Sequence, residues 1–332
     1  MNMKKILVIG STVADIIVKL DHMPSRAEDV NVDSQESSLG GCAFNVSEII
    51  RHHNVPYTLF SPVGSGIYGD YVHNQLADRG IKTPLDGFGI GDNGCCYCFV
   101  ESDGERTFIC HHGAEYLFKK EWFDALPSEY SYAYICGLEV EDKTGSVIVD
   151  FLEEHPEIQV CFAPGPRITH IDPALMERIF ALKPIIHLNE DEVCRFTGCG
   201  TMTDDSDSAS SCSSAAETAT IEIAARRLHK KTGNVVIVTH GSKGSYAFDG
   251  QTLHYAPPVP CEKVVDTIGA GDSHCGTCLA ALASGSSLDE MLAQANHIAS
   301  LVVGKRGAGL AVGCEATYRS EMPCDMLAAY RL

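Results

Sequence analysis

Apolar residues in this chain recur in two patterns. Short unbroken runs occupy residues 5–9 (KILVI), 132–136 (YAYIC), 160–162 (VCF), 185–188 (IIHL) and 235–239 (VVIVT). Apolar runs this short, bounded by turn residues, suit strands buried on both faces. Between them lie longer stretches that predict helices, among them 42–53, 221–231, 273–283 and 288–303. A strand at 57–63 and an amphipathic helix ending at Gly80 extend the alternation. Strands alternating with helices predict an α/β fold: a mostly parallel sheet with helices on both faces, a three-layer α/β/α arrangement. Ligands of such sheets bind beyond the carboxyl ends of the strands.

A second pattern interrupts the first. Residues 15–38 alternate loosely and carry turn residues such as Pro24, which predicts two strands projecting from the main body. Asp92-Asn93-Gly94 is a tight turn before a strand at 95–101. Asp103-Gly104 is a hairpin turn before a return strand at 106–110. Together they predict a small β lid from about 13–38 and 94–111. Residues 198–220 are rich in Ser, Thr and Asp with almost no large apolar side chain, which predicts a mobile loop ahead of the helix at 221–231. There is no internal repeat and no long linker, so the chain reads as a single domain over 1–332 with that lid.

The chemistry concentrates in Val264-Val265-Asp266-Thr267-Ile268-Gly269-Ala270-Gly271-Asp272-Ser273, between a strand-like run and a small-residue helix. Gly269 and Gly271 let backbone approach a ligand. The N–H groups opening the helix form an anion site through unpaired donors and the macrodipole. Asp272 would repel a phosphate held there for its own sake. It suits a site in which it takes a proton from an attacking hydroxyl while the amides of Gly269, Ala270 and Gly271 hold a transferring phosphoryl group. Alone, the same residues also describe an Asp N-cap on an ordinary helix.

They are not alone. D-T-I-G-A-G-D-S followed by a Gly/Ala-rich helix resembles the C-terminal signature of the PfkB, or ribokinase-like, sugar kinases. Leu39-Gly40-Gly41-Cys42-Ala43-Phe44-Asn45 resembles the N-terminal signature, and Asn189-Glu190-Asp191-Glu192 the N-x-x-E magnesium motif. Three motifs in order, over nearly the whole chain, are more specific than any one. D-N-G, D-G-E-R-T-F, G-P-R-I and V-D-T-I-G-A-G-D-S-H further resemble an uncharacterised bacterial branch of sugar kinases in this family.

The resemblance implies an ATP-dependent kinase acting on a hydroxymethyl group of a sugar or sugar-like molecule, with Asp272 as base. It implies acceptor contacts from Asp15, Gly40, Gly41 and Asn45, with Asn93, Arg106 and Arg167 as further candidates. A carboxylate and an amide both suit vicinal hydroxyls. Cys42 stands where relatives often have Lys or Asn, and Ala163 where many have Asp, so ribokinase's own substrate preference does not carry over. Asn189, Thr239, Gly241, Gly244 and Asn296 fall at nucleotide-binding positions. Glu192 would hold Mg²⁺ through water; Asp266 and the carbonyl of Ile268, with the turn at 304–309, would hold a monovalent cation such as K⁺. Two alternatives remain: a nucleoside kinase on the same fold, whose base would stack on Phe44, Tyr97 or Phe108, and a non-catalytic sugar or nucleotide sensor. Lid strands that pair between subunits in relatives imply a possible homodimer.

Composition narrows the remaining classes. A net charge of −19 argues against a general nucleic-acid or anionic-membrane binder. Phosphate binding must therefore come from local amides, a few cationic side chains and a metal. Fifteen scattered Cys do not describe a secreted disulfide framework, and the cluster Cys95, Cys96 and Cys98 reads as reduced thiols in a strand. The apolar run at 6–9 is too short for a signal peptide or a membrane span. These features predict a cytoplasmic protein. G-S-T-V-A-D after the first strand is not a dinucleotide fingerprint, and Gly241-Ser242-Lys243-Gly244 is not a Walker A loop.

Overall fold

A computed structural model describes residues 4–85, 90–102, 105–127, 129–199, 214–305 and 307. The chain begins with strand β1 (Lys5–Ile9), followed by β2 (Val13–Lys19), β3 (Ser34–Gly40), helix α1 (Cys42–His52), β4 (Tyr57–Phe60) and α2 (Ile67–Asp78). Next come β5 (Cys95–Val100), β6 (Arg106–His111), the short α3 (Lys120–Phe123), β7 (Tyr130–Cys136), α4 (Gly137–Glu141) and α5 (Gly145–Glu154). The chain continues through β8 (Gln159–Ala163), α6 (Pro173–Ala181), β9 (Ile185–Asn189), α7 (Glu190–Thr197) and α8 (Ser214–Thr232). It closes with β10 (Val236–Thr239), β11 (Ser245–Phe248), β12 (Leu253–Ala256), α9 (Ala270–Ser284) and α10 (Leu288–Val303).

The eight-stranded central sheet has the order β12-β11-β10-β9-β8-β7-β1-β4. From β4 to β10 every pairing is parallel; β11 and β12 add antiparallel strands at one edge. Alternate residues of each strand feed opposite faces. Leu7, Ile9, Ile135, Phe162 and Leu188 pack with α5, α6, α7 and α8 in one core. Ile6, Val8, Tyr134, Cys161 and Ile237 pack with α1, α2, α9 and α10 in the other. This is the three-layer arrangement the apolar runs predict. Because the strands are buried on both faces, their sequence shows continuous runs rather than alternation.

A separate four-stranded sheet has the order β3-β2-β5-β6. It corresponds to the two interrupted regions expected as a lid. One face is apolar: Ala14, Ile16, Val18 and Cys95 form a small core packed by Tyr68 and Tyr71 of α2. The other carries Asp15, Cys96, Cys98 and Cys110. Asp15 opposes Cys96, and Cys96 opposes Cys110, across three neighbouring strands.

One expectation needs correction. The helix placed at 221–231 begins at Ser214, so the Ser-rich stretch shortens to include residues 200–213, which lie outside the described residues. Ala215, Ala216 and Ala219 supply helix propensity that a reading for large apolar residues overlooks. The hairpin of β11 and β12 is an additional element the run pattern does not announce, because it is short and antiparallel. The turn at Asp103-Gly104 lies outside the described residues, as do 306, 308 and 309 of the expected cation turn. No helix among the described residues is long and apolar enough to cross a membrane.

Candidate active site

Helices α6, α7 and α10 are each capped by a side chain, from Asp172, Asn189 and Ser287. Helices α1 and α9 are not. Each is opened by a glycine at positive φ, Gly41 at 99° and Gly269 at 73°, with no side-chain cap. Phe44 N–H donates to Ser11 O and Ala270 N–H to Thr267 O, each at 3.3 Å, and with no side-chain cap the other first-turn amides are left to a ligand or solvent. Gly41 is required sterically as well: a Cβ there would lie 2.5 Å from the carbonyl oxygen of Ser11.

The two helix starts meet. Asn45 Nδ2, one turn into α1, donates to Asp272 Oδ2 in the first turn of α9 at 2.8 Å. Burial raises Asp272 to about 6, opposed by the Asn45 hydrogen bond and reinforced by Glu139. Asp15 lies on the side of the lid sheet that faces Asp272. Burial raises it to about 7, with contributions from Cys110 and Asp272. A Cβ on Gly40 would meet Asp15 Oδ2 at 1.9 Å, so glycine there makes the room this carboxylate occupies.

On the other side of α9 opens a cavity of about 660 Å³. Thr239, Gly241, Gly244, Ala270, Gly271 and Asn296 all line it. The anion-site residues thus connect the cavity to the Asp15 cleft. A Cβ on Gly244 would lie 2.2 Å from the carbonyl of Ala256, so the turn after β10 tolerates no side chain there. Asn296 lines the cavity, but its amide is engaged with Ala256 O, Pro257 O and Ser245 Oγ. His274, at the cavity wall, and His187 hydrogen-bond at 2.9 Å, with Cys278 Sγ 3.5 Å from His274 Nδ1. Burial lowers both imidazoles, which keeps this core dyad neutral.

Asn189 and Glu192 stand at the carboxyl end of β9, where they form a reciprocal capping box. Asn189 Oδ1 accepts from Glu192 N at 2.8 Å, and Glu192 Oε2 accepts from Asn189 N at 3.0 Å. Burial raises Glu192. Next to it Asp191 Oδ1 is buried without a hydrogen-bond partner. An orphaned carboxylate oxygen beside a second buried carboxylate fits a hard divalent ion that keeps most of its waters.

Three expected acceptor residues are engaged within the protein. Asn93 is buried and holds backbone: it accepts from Gly64 N at 2.7 Å and donates to Thr12 O at 3.1 Å. Arg167 is clamped bidentately by Glu141. Arg106, from β6, reaches across the cleft to Asp266 Oδ1 and Thr267 Oγ1, both at 3.1 Å. Asp266 Oδ1 also accepts from Ile268 N at 2.9 Å, and Oδ2 from Gly307 N at 3.1 Å. With a guanidinium and two amides on it, this carboxylate does not fit a monovalent cation in the arrangement described here.

Glu139 is a site residue that sequence reading misses. It sits at the start of α4, at the carboxyl end of β7. Oε1 accepts from Ser11 N at 2.8 Å, and Oε2 is buried without a hydrogen-bond partner. Burial raises it, and its charge acts on Asp272. The only sequence signal is its place just past a buried strand in a parallel sheet, where ligand sites form.

Comparison with known proteins identifies the family. The pfkB family carbohydrate kinase description matches residues 3–312. An Escherichia coli (strain K12) protein described as the uncharacterized sugar kinase YegV is 32% identical over 309 residues, covering 93% of this chain and 91% of its own length. Ribokinase of Arabidopsis thaliana is 28% identical over 321 residues, covering 91% of this chain and 77% of that protein. The crystal structure of ribokinase from Cryptococcus neoformans in complex with ADP superposes with a TM-score of 0.80 at 20% identity, over 97% of this chain and all of that one. The chain belongs to the pfkB family of carbohydrate kinases.

Proposed function

We propose that this chain transfers the γ-phosphoryl group of ATP to a hydroxymethyl group of a sugar or sugar-like small molecule. One observation carries the reading. Asp272 stands in the first turn of a glycine-opened, uncapped helix, between a cavity of nucleotide size and a cleft walled by Asp15 and Asn45.

In this reading ATP occupies the 660 Å³ cavity and the acceptor lies between Asp272 and the lid sheet. Asp15, Asn45 and the backbone at Gly40 and Gly41 orient the acceptor's hydroxyls. Asp272 takes the proton of the reacting hydroxyl as its oxygen bonds to the γ-phosphorus and the bond to the ADP oxygen breaks. The amides of Gly269, Ala270 and Gly271 hold charge on the equatorial oxygens. Glu192, with Asp191 beside it, would hold Mg²⁺, which neutralises phosphate charge when bound. The lid sheet excludes water, the competing acceptor. Its edge strand β6 leaves Phe108 and Ile109 half exposed, a surface a second copy could cover.

Of the three aromatic residues a base could stack on, only Phe108, opposite Cys98 on the Asp15 face of the lid sheet, stands half exposed on that face. A base needs an aromatic wall in the cleft, but Tyr97 alternates to the α2 side, where it hydrogen-bonds Tyr68 and stacks on Phe99. Phe44 is buried in the core of α1. A panel assay of ADP release with Mg-ATP, covering pentoses, hexoses, keto-sugar acids and nucleosides, tests the reading. We expect turnover on one sugar class. Activity confined to nucleosides would reassign the acceptor, and ATP binding without turnover on any of them would favour a sensor. With the acceptor in hand, Asp272→Asn should lower kcat by about 10²- to 10⁴-fold with little change in acceptor affinity; near-normal turnover would remove Asp272 from the mechanism.

A further inference from the structure

The lid sheet carries two thiols face to face. Cys96 of β5 and Cys110 of β6 are directly opposed in the antiparallel register, and their sulfurs are 3.3 Å apart. Opposed residues on antiparallel strands have Cα atoms about 4.5–5.5 Å apart, within the range a disulfide spans. Bond formation therefore requires side-chain rotation that brings the sulfurs from 3.3 Å to about 2.05 Å, with no strand movement. Two other thiol contacts differ in access. Cys161 and Cys275 are 3.9 Å apart and both buried. Cys42, half-buried, lies beside the buried Cys136. Cys110 alone among these is exposed.

The pair is also asymmetric. The sulfur–sulfur contact with Cys96, with His112 nearby, lowers the Cys110 thiol to about 6. Cys110 is the more exposed of the two and the one whose thiolate, the form that attacks an oxidant, is favoured. Its partner is already in place to resolve the product. Cys96 opposes Asp15 on the neighbouring strand, on the same face of the sheet. The thiol pair therefore continues the acceptor wall.

We propose that Cys96 and Cys110 are a reversible oxidation site on the acceptor wall, closed to a disulfide by a hydroperoxide and reopened by a dithiol reductant. The Cys110 thiolate attacks the peroxide oxygen, giving a sulfenic acid and releasing hydroxide. The Cys96 sulfur then attacks the Cys110 sulfur and expels a second hydroxide, which leaves as water with the Cys96 proton. Two thiols lose two hydrogens and two electrons, and the peroxide becomes two waters. The bond locks β5 to β6 and replaces a mobile thiol pair with a rigid bridge beside Asp15. Its effect on turnover rests on the acceptor reading above; its formation does not.

The test treats the whole protein with hydrogen peroxide at low molar excess and maps cross-links by non-reducing peptide mass spectrometry. Acceptor KM and ATP-analogue binding are measured before and after dithiothreitol. We expect a Cys96–Cys110 bridge ahead of any other, acceptor KM raised at least several-fold, ATP-analogue binding retained, and recovery on reduction. Cys110→Ser and Cys96→Ser, each referred to its own reduced activity, should show neither bridge nor KM change. Oxidation of other cysteines with no Cys96–Cys110 bridge overturns the site. A bridge that leaves acceptor KM unchanged overturns its placement on the acceptor wall. Failure of the kinase reading is distinguishable, because the reduced protein would then turn over no acceptor while the mapping still decides the bridge.

Discussion

The two carboxylates facing the cleft hold opposite demands from folding and from chemistry. Burial raises Asp272 to about 6 and Asp15 to about 7, against about 3.9 in an unfolded chain. Each binds its proton more tightly folded than unfolded. Their contribution to stability is therefore fully present below about 3.9 and is lost as pH rises through about 6 and about 7. The proposed reaction needs the reverse, with Asp272 ionised to act as base and Asp15 ionised to accept hydrogen bonds from the sugar's hydroxyls. The acid limb of kcat/KM for the acceptor should accordingly contain two ionisations, and Asp15→Asn should remove the one near 7 while leaving the one near 6. A limb unmoved by that substitution would exclude Asp15 from acceptor binding. At pH 8 both Asp15→Asn and Asp272→Asn should melt higher than the parent, by about 2 °C or more, because each removes a buried charge. Asp272 and Asp15 are legible in the sequence, through a glycine-flanked helix start and a polar residue just past the first strand. Glu139 is not, since no motif flanks it and only the fold brings it to Ser11 and Asp272.

At the scale of elements, the contact that matters most runs from the lid to the anion site. Arg106 on β6 pairs with Asp266 and Thr267, in the loop that leads into α9. The sequence shows Arg106 on a lid strand and Asp266 beside the glycines, but 160 positions separate them, and only the register of β6 brings them together. That pairing changes what Asp266 can do. Its carboxylate is already met by a guanidinium and by the amides of Ile268 and Gly307. A fixed cation thus stands where the sequence suggested a potassium ion. Turnover should therefore change less than about twofold when potassium is replaced by sodium or choline at constant ionic strength. Arg106→Gln should lower turnover, by freeing the lid edge and loosening the loop, and should introduce a dependence on potassium. Strong activation of the parent by potassium would show that the guanidinium yields its place. The same logic separates helix starts capped by a side chain from those that carry no such cap. Asn189 and Ser287 cap their own helices, whereas no side chain caps those begun by Gly41 and Gly269. Sequence shows both kinds as turn residues before a helix; the difference lies in which side chain is present to accept the first amides.

The whole molecule carries a net charge of −19, yet its proposed cosubstrate is an anion. The cavity offers short-range features that would compensate: the helix start at Gly271, the glycine turn at Gly241 and Gly244, and a wall with no acidic side chain among its lining residues. These act at contact distance, where salt screens little. The repulsion of the remaining surface acts over longer distances, about 30 Å at 0.01 M salt and about 8 Å at 0.15 M. Raising ionic strength across that range should therefore remove most of the repulsion while leaving the contacts intact. The prediction is that KM for Mg-ATP falls, by about two- to fivefold, as sodium chloride rises from 0.01 to 0.15 M at fixed Mg²⁺. A neutral sugar acceptor should show no comparable change, because it feels neither term. The opposite response, a KM that rises with salt, would mean that cationic side chains attract the nucleotide, and Lys243, paired with Glu217 beside the glycine turn, would be the first to substitute.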